Sequence, residues 1–231
     1  MSEVVGLDLI DLLRRLKHPV VAGAVQEVNL EFCKETSNGD LALLADLGAR
    51  FQGSKLTHLN LNALHKLSDD AIVAAATAHS TSLQALQLYW HHAITNTAVV
   101  NIAKGCPNLT LLNLSGCQKL EDSGVRAVAR SCGKSLTSLD LTRCPLLTDD
   151  ALEFAAPRLP NVVSLNLYAD SQFSDHGYFA LAQLHHLTFL DLCGATKLSS
   201  KVKYMVPNEC AKHPNSVNNL LTAYNSAGYF L

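Results

Sequence analysis

The chain has 231 residues, 48% of them hydrophobic and 16% charged, with a formal net charge of −2. It has no Lys/Arg run and none of the basic balance of a nucleic-acid footprint, so nucleic acid is not an expected partner. The apolar stretches are short and broken by Asp, Asn or Lys, so no membrane span is expected. Glu3, Asp8 and Asp11 argue against a secretory or transit signal, and the expected location is cytoplasmic or nuclear. The seven cysteines include no CxxC. In a reducing compartment such residues are expected to be small buried apolar groups.

In chain order, Leu9, Leu12, Leu13 and Leu16 keep helical spacing, so residues 3 to 17 are expected to form a capping helix within an N-terminal cap of residues 1–24. From residue 25 a different pattern begins. L-x-x-L-x-L recurs as Val25-Val28-Leu30, Leu56-Leu59-Leu61, Leu83-Leu86-Leu88, Leu109-Leu112-Leu114, Leu136-Leu139-Leu141, Val162-Leu165-Leu167 and Leu187-Leu190-Leu192. Successive starts lie 31, 27, 26, 27, 26 and 25 residues apart. A period of that size marks a repeat array, and the excess in the first interval is assigned to a loop near residues 48–54.

Within each unit the alternation around L-x-L predicts a strand. A helix follows, with apolar residues at i, i+3, i+4 and i+7. Five such helices align: Ile72-Ala75-Ala76-His79, Val99-Ile102-Ala103-Cys106, Val125-Val128-Ala129-Cys132, Leu152-Ala155-Ala156-Leu159 and Tyr178-Leu181-Ala182-His185. Ser68, Thr95, Thr148 and Ser174 are expected N-caps, and acids follow three of them at once. One such unit cannot bury its own apolar face, so the units must stack. The expected fold is an α/β solenoid of about seven repeats over residues 25–197. A parallel sheet lines its concave face and helices form its convex face. Residues 198–231 are expected to be a degenerate capping repeat, with Tyr224, Tyr229, Phe230 and Leu231 covering the last edge.

The residue after each motif adds a further sign: Cys33, Leu64, His91, Cys117, Cys144, Asp170 and Ala195. Cys106 and Cys132 form a second column at the helix ends. The stretches "CPNLTLLNLSGCQKLEDSGVRAVARSC" and "SLTSLDLTRCPLLTDDALEFAA" resemble cysteine-containing leucine-rich repeats. These are found in F-box/LRR substrate receptors of ubiquitin ligases and in F-box-less proteins of the antagonist-of-mitotic-exit-network type. The resemblance spans roughly residues 25 to 200. It implies the solenoid fold and, for function, capture of a protein partner, with ubiquitin-ligase components as further partners. The residues ahead of the first strand are taken up by the cap. The expectation is therefore either a stand-alone repeat protein or one whose F-box lies upstream in the full gene product.

Two constellations invite a chemical reading, and neither is expected to carry one. His91, Cys117, Cys144 and Asp170 share one column on four consecutive repeats. At about 4.8 Å per strand the outer pair is roughly 14 Å apart, too far for one metal ion. Asp140 and Asp191 lie about 10 Å apart with Asn166 between them, a separation that suits an inverting glycosidase. They belong, however, to an open polar column of Asn29, Asn60, Gln87, Asn113, Asp140, Asn166 and Asp191. No nucleotide or nucleophile motif occurs. The reading is a non-enzymatic monomer with no cofactor and no metal.

What remains is the concave surface. Trp90 is the single tryptophan, and the period places it outward at the end of its strand. Tyr89, Trp90, Arg143 and Tyr168 fall toward one edge, and Trp, Tyr and Arg dominate interface hot spots. The expected contact set is these four with Phe189, Asp140, Glu31 and Phe32. The function so read is an adaptor or scaffold holding a protein on the concave face. The alternatives are a substrate-recognition subunit of an SCF-type ubiquitin ligase and, lower, an unrecognised small-molecule or enzymatic site.

Overall fold

The computed structural model describes residues 3–5, 25–50, 55–197 and 199. Strands and helices alternate: β1 (Glu3–Val5), β2 (Glu27–Asn29), α1 (Asn38–Arg50), β3 (His58–Asn60), α2 (Asp69–Thr77), β4 (Ala85–Gln87), α3 (Asn96–Gly105), β5 (Leu111–Asn113), α4 (Asp122–Ser131), β6 (Ser138–Asp140), α5 (Asp149–Ala155), β7 (Ser164–Asn166), α6 (Asp175–Ala180) and β8 (Phe189–Asp191). All eight strands form one parallel sheet in sequence order. The fold is the expected α/β solenoid.

Register follows the leucines. Val28, Leu59, Leu86, Leu112, Leu139, Leu165 and Leu190 pair in one row across β2 to β8, and each is buried. A one-residue slip would turn that row to the concave face and expose it, so the apolar pattern itself fixes the register. The helices supply the other wall. Ile72, Val99, Val125, Leu152 and Tyr178, the first positions of the five predicted helical stripes, are all buried in one continuous core. Phe173 packs edge-on against Tyr178 with ring centroids 5.9 Å apart, and both are fully buried.

Two local expectations change. At residues 3 to 5 the chain is a strand, not the start of a helix: Glu3–Val5 pairs in parallel with β2, Val4 opposite Val28. Two adjacent β-branched valines favour an extended backbone, and the row of β2 offers them an edge to complete. The rest of the N-terminal cap lies outside the described residues, as do the C-terminal cap apart from Ser199 and its aromatic tail. The extra length of the first repeat goes partly into α1, whose 13 residues run through Gly48 to Arg50, where a loop was expected.

Candidate functional site

The concave face is built from ladders that run from repeat to repeat. The polar column at the strand ends is a structural one. Asn29, Asn60, Asn113, Asp140, Asn166 and Asp191 each accept, through Oδ1, the backbone N–H two residues ahead, at 2.9–3.0 Å. This local bond is the Asx turn, and it ends the strand. Gln87 is one methylene too long to do the same. The N–H of Tyr89 therefore donates to Oδ1 of Asn62 in the preceding repeat at 2.9 Å, and buried Asn62 takes over the role. Burial raises the Asp140 carboxyl, while the N–H of Thr142 and the amide of Asn166 hold it down.

Three residues after each member of this column, Gln87 included, the chain makes one left-handed residue. These are Phe32, Ala63, Trp90, Gly116, Arg143, Ala169 and Gly194, with φ between 55° and 87°. Five of the seven are not glycine, and αL costs an ordinary residue roughly 1–2 kcal/mol. The lateral hydrogen bonds explain why it persists. In this conformation the N–H of the αL residue reaches the next repeat: Phe32 to the carbonyl of Asn62, Ala63 to Tyr89, Trp90 to Ser115, Gly116 to Thr142, Arg143 to Tyr168 and Ala169 to Cys193. A neighbouring repeat thus over-determines each strained residue. The column runs along one edge of the concave sheet.

The next column is the one with the appearance of a metal set. No group of His, Cys, Asp and Glu among the described residues could hold a metal ion. Each side chain instead serves a carbonyl one repeat back. His91 Nε2 bonds the carbonyl of Leu61 at 2.8 Å. The Cys117 thiol donates to Leu88 at 3.7 Å and the Cys144 thiol to Leu114 at 3.3 Å. Burial pushes the Cys117 thiol up to about 12 and the Cys144 thiol up as well, and it lowers His91, so these groups stay neutral. Cys106 and Cys132 are buried free thiols too, whereas Cys193 departs from that expectation and is disulfide-bonded. Asp170 interrupts the series. It is 1% exposed, its Oδ1 accepts the N–H of Cys144 at 2.7 Å, and its other oxygen has no hydrogen-bond partner. Burial pushes its carboxyl up to about 7, against the pull of that N–H.

Of the eight residues expected at the partner surface, the structure gathers four into one row. Tyr89 and Trp90 have centroids 5.3 Å apart. The Arg143 guanidinium lies 5.8 Å from the Trp90 ring and 5.7 Å from the Tyr168 ring. Trp90 bridges to the Arg143 repeat over Gly116, where a Cβ would come within 3.2 Å of its ring. Phe32, 60% exposed, stands two repeats from Trp90. Between them is a depression of about 550 Å³, floored by Ala63 and Leu64 and flanked by Lys34, Lys66 and Tyr89. The other three lie apart from the row. Glu31 is tied to the side-chain amides of Asn60 and Asn62 at 3.3 Å, Asp140 closes its own Asx turn, and Phe189 opens β8 at the far end of its strand. The expected contact set omits His65 and His92, whose rings stack 5.7 Å apart, with His92 also edge-on to Trp90 at 5.0 Å. A His-His pair after Trp90 and a His two residues after Ala63 were the available signal.

Comparison with known proteins agrees with the fold. The Leucine Rich repeat family model matches residues 105–129 and 134–154. The fold is a leucine-rich-repeat solenoid. Among curated relatives, F-box/LRR-repeat protein 17 of Arabidopsis thaliana is 30% identical over 58% of this chain and 22% of its own length. Antagonist of mitotic exit network protein 1 of Eremothecium gossypii is 32% identical over 58% of this chain and 31% of its own. F-box/LRR-repeat protein 4 of Bos taurus is 32% identical over 54% and 20%. The chain thus spans about a fifth to a third of the length of these relatives. A solved structure, that of the Rad7 and Elc1 complex in yeast, superposes with a TM-score of 0.58 at 22% identity, over 71% of this chain and 42% of that one, which supports the fold. The leucine-rich repeats and the relatives support a protein-interaction role. No described helix is long and apolar enough to cross a membrane.

Proposed function

We propose that this protein is a non-enzymatic adaptor that, as a monomer, holds a protein partner along one edge of its concave face, through Tyr89, Trp90, Arg143 and Tyr168. The observation that supports the reading is the row itself. Two half-buried aromatics, an exposed arginine and a tyrosine left 38% exposed lie in contiguous π and cation–π contact across four repeats, on backbone pinned by lateral hydrogen bonds. Such rigid amphipathic groups contribute contact area at low entropic cost and dominate interface energetics. The test is affinity purification from the native cell with mass spectrometry, comparing the wild type with Trp90→Ala and Arg143→Ala. A partner captured by the wild type and lost from both variants is the expected result. A partner set unchanged by either substitution contradicts the reading.

A second reading is favoured by the names of the relatives. The captured protein is then the substrate of an SCF-type ubiquitin ligase, and this chain is its recognition subunit. The same purification distinguishes the two, because the ligase reading requires ligase components to co-purify and to remain when Trp90 is replaced.

A further inference from the structure

We infer that the depression between Phe32 and Trp90 receives an acidic, extended peptide segment of a partner protein, with one apolar side chain of that segment seated over Ala63. This deepens the adaptor reading and rests on it. From Phe32 to Ala169 the αL column alternates large and small along the edge: Phe32, Ala63, Trp90, Gly116, Arg143, Ala169, with Gly194 ending the series. Large members form ridges and small ones leave slots. Ridges two repeats apart are separated by about 9.6 Å. The second slot, over Gly116, is covered by the Trp90 ring. The first, over Ala63, is open and is the depression itself. An extended chain advances about 9–10 Å in three residues, so it can cross the opening with a side chain inside and its neighbours over each ridge.

Charge decides the kind of segment. Lys34 and Lys66 line the opening with one carboxylate, Glu35, and exposed Arg143 lies beyond Trp90. None of these three cations has a carboxylate partner among the described residues, where Arg126 to Asp150 on the convex side is an ion pair that does form. Glu31, the other acid nearby, is already engaged by Asn60 and Asn62. An apolar slot rimmed by unpaired cations is complementary to acidic residues flanking an apolar one. Charges at such a rim set partner choice and on-rate, and salt screens them.

The experiment uses the full chain and fluorescein-labelled synthetic peptides read by polarisation. One peptide carries a central leucine flanked by Asp and Glu, a second the same leucine flanked by Lys and Arg, a third is flanked by Ser, and a fourth keeps the acidic flanks around a central glycine. The acidic-flanked leucine peptide is expected to bind at least about tenfold more tightly than the others, and more weakly as salt rises. In the double variant Lys34→Glu/Lys66→Glu, two exposed sites, the preference is expected to invert toward the basic-flanked peptide. Phe32→Ala is expected to weaken binding whatever the flanks. Binding blind to flank charge, a charge reversal without effect, or no binding of any peptide each overturns the inference. Those results leave the adaptor reading in place if partner capture still depends on Trp90. Capture unaffected by Trp90→Ala removes the adaptor reading itself.

Discussion

At the residue scale, two positions show what a one-dimensional pattern can and cannot reveal. The period placed Trp90 outward, and it is half-buried on the edge. Its left-handed backbone was not legible, because it depends on an N–H reaching a carbonyl one repeat away. Gly116 holds the equivalent place at φ 78° with the Trp90 ring against it. Gly116→Ala should still fold, since Ala63 and Ala169 tolerate that conformation. It should cost about 1 kcal/mol and displace the ring, read as a lower melting temperature and a shift in the fluorescence of the single tryptophan. Asp170 offers a second test. Its folded carboxyl titrates near 7, well above an unfolded aspartate near 3.9. The folded state therefore holds the extra proton between those values, and its stability falls as pH rises through that window. His79 and His91 are lowered by burial, so their contribution is lost in the opposite direction, as pH falls below about 6.5. Comparison with Asp170→Asn isolates the carboxyl. The variant should match the wild type near pH 4 and exceed it by roughly 1–4 kcal/mol above about pH 7, measured by denaturant melts across pH. A constant difference would remove the buried-acid account.

At the element scale, the helix starts were legible as caps but their wider role was not. Ser68 and Thr95 do accept an N–H of their own helix, from Ala71 and Ala98, and Ser174 accepts that of His176. Thr148 makes no such bond. Its N–H and hydroxyl both donate to Asp122 of the preceding repeat, at 2.8 and 2.6 Å. Asp69 serves Thr95 and Asp149 serves Ser174 in the same way, while Asn38 and Asn96 reach Ser68 and Glu121. The acids after the caps, read from sequence as partners of the helix dipole, are also rungs between repeats. A cross-repeat rung cannot be distinguished from a local cap by spacing alone, because both place an acid in the first turn. Asp122→Ala should therefore destabilise by about 1–2 kcal/mol, and hydrogen exchange should rise at the N-terminus of α5 more than in α4. Exposure confined to α4 would reduce Asp122 to a local cap.

At the scale of the whole molecule, the seven leucine motifs specified strand order, register and core, because stacking leaves the apolar row only one place to be buried. The same periodicity dismantled the apparent metal set, because equivalent positions are spread along the solenoid one strand spacing at a time, and it made Asp140 and Asp191 members of a column of strand-ending Asx turns. What periodicity could not supply was the departure from it, and function is expected in the departures. Phe32, Trp90 and Arg143 stand where other repeats place alanine or glycine, and they border the open slot. The central claim is that Trp90 serves binding rather than the core. The most direct measurement sets two quantities side by side for Trp90→Ala: the melting temperature and the affinity for the acidic-flanked leucine peptide. The expected result is a melting temperature within a few degrees of wild type with affinity reduced at least about tenfold. A collapsed melting temperature, or unchanged affinity, would contradict it.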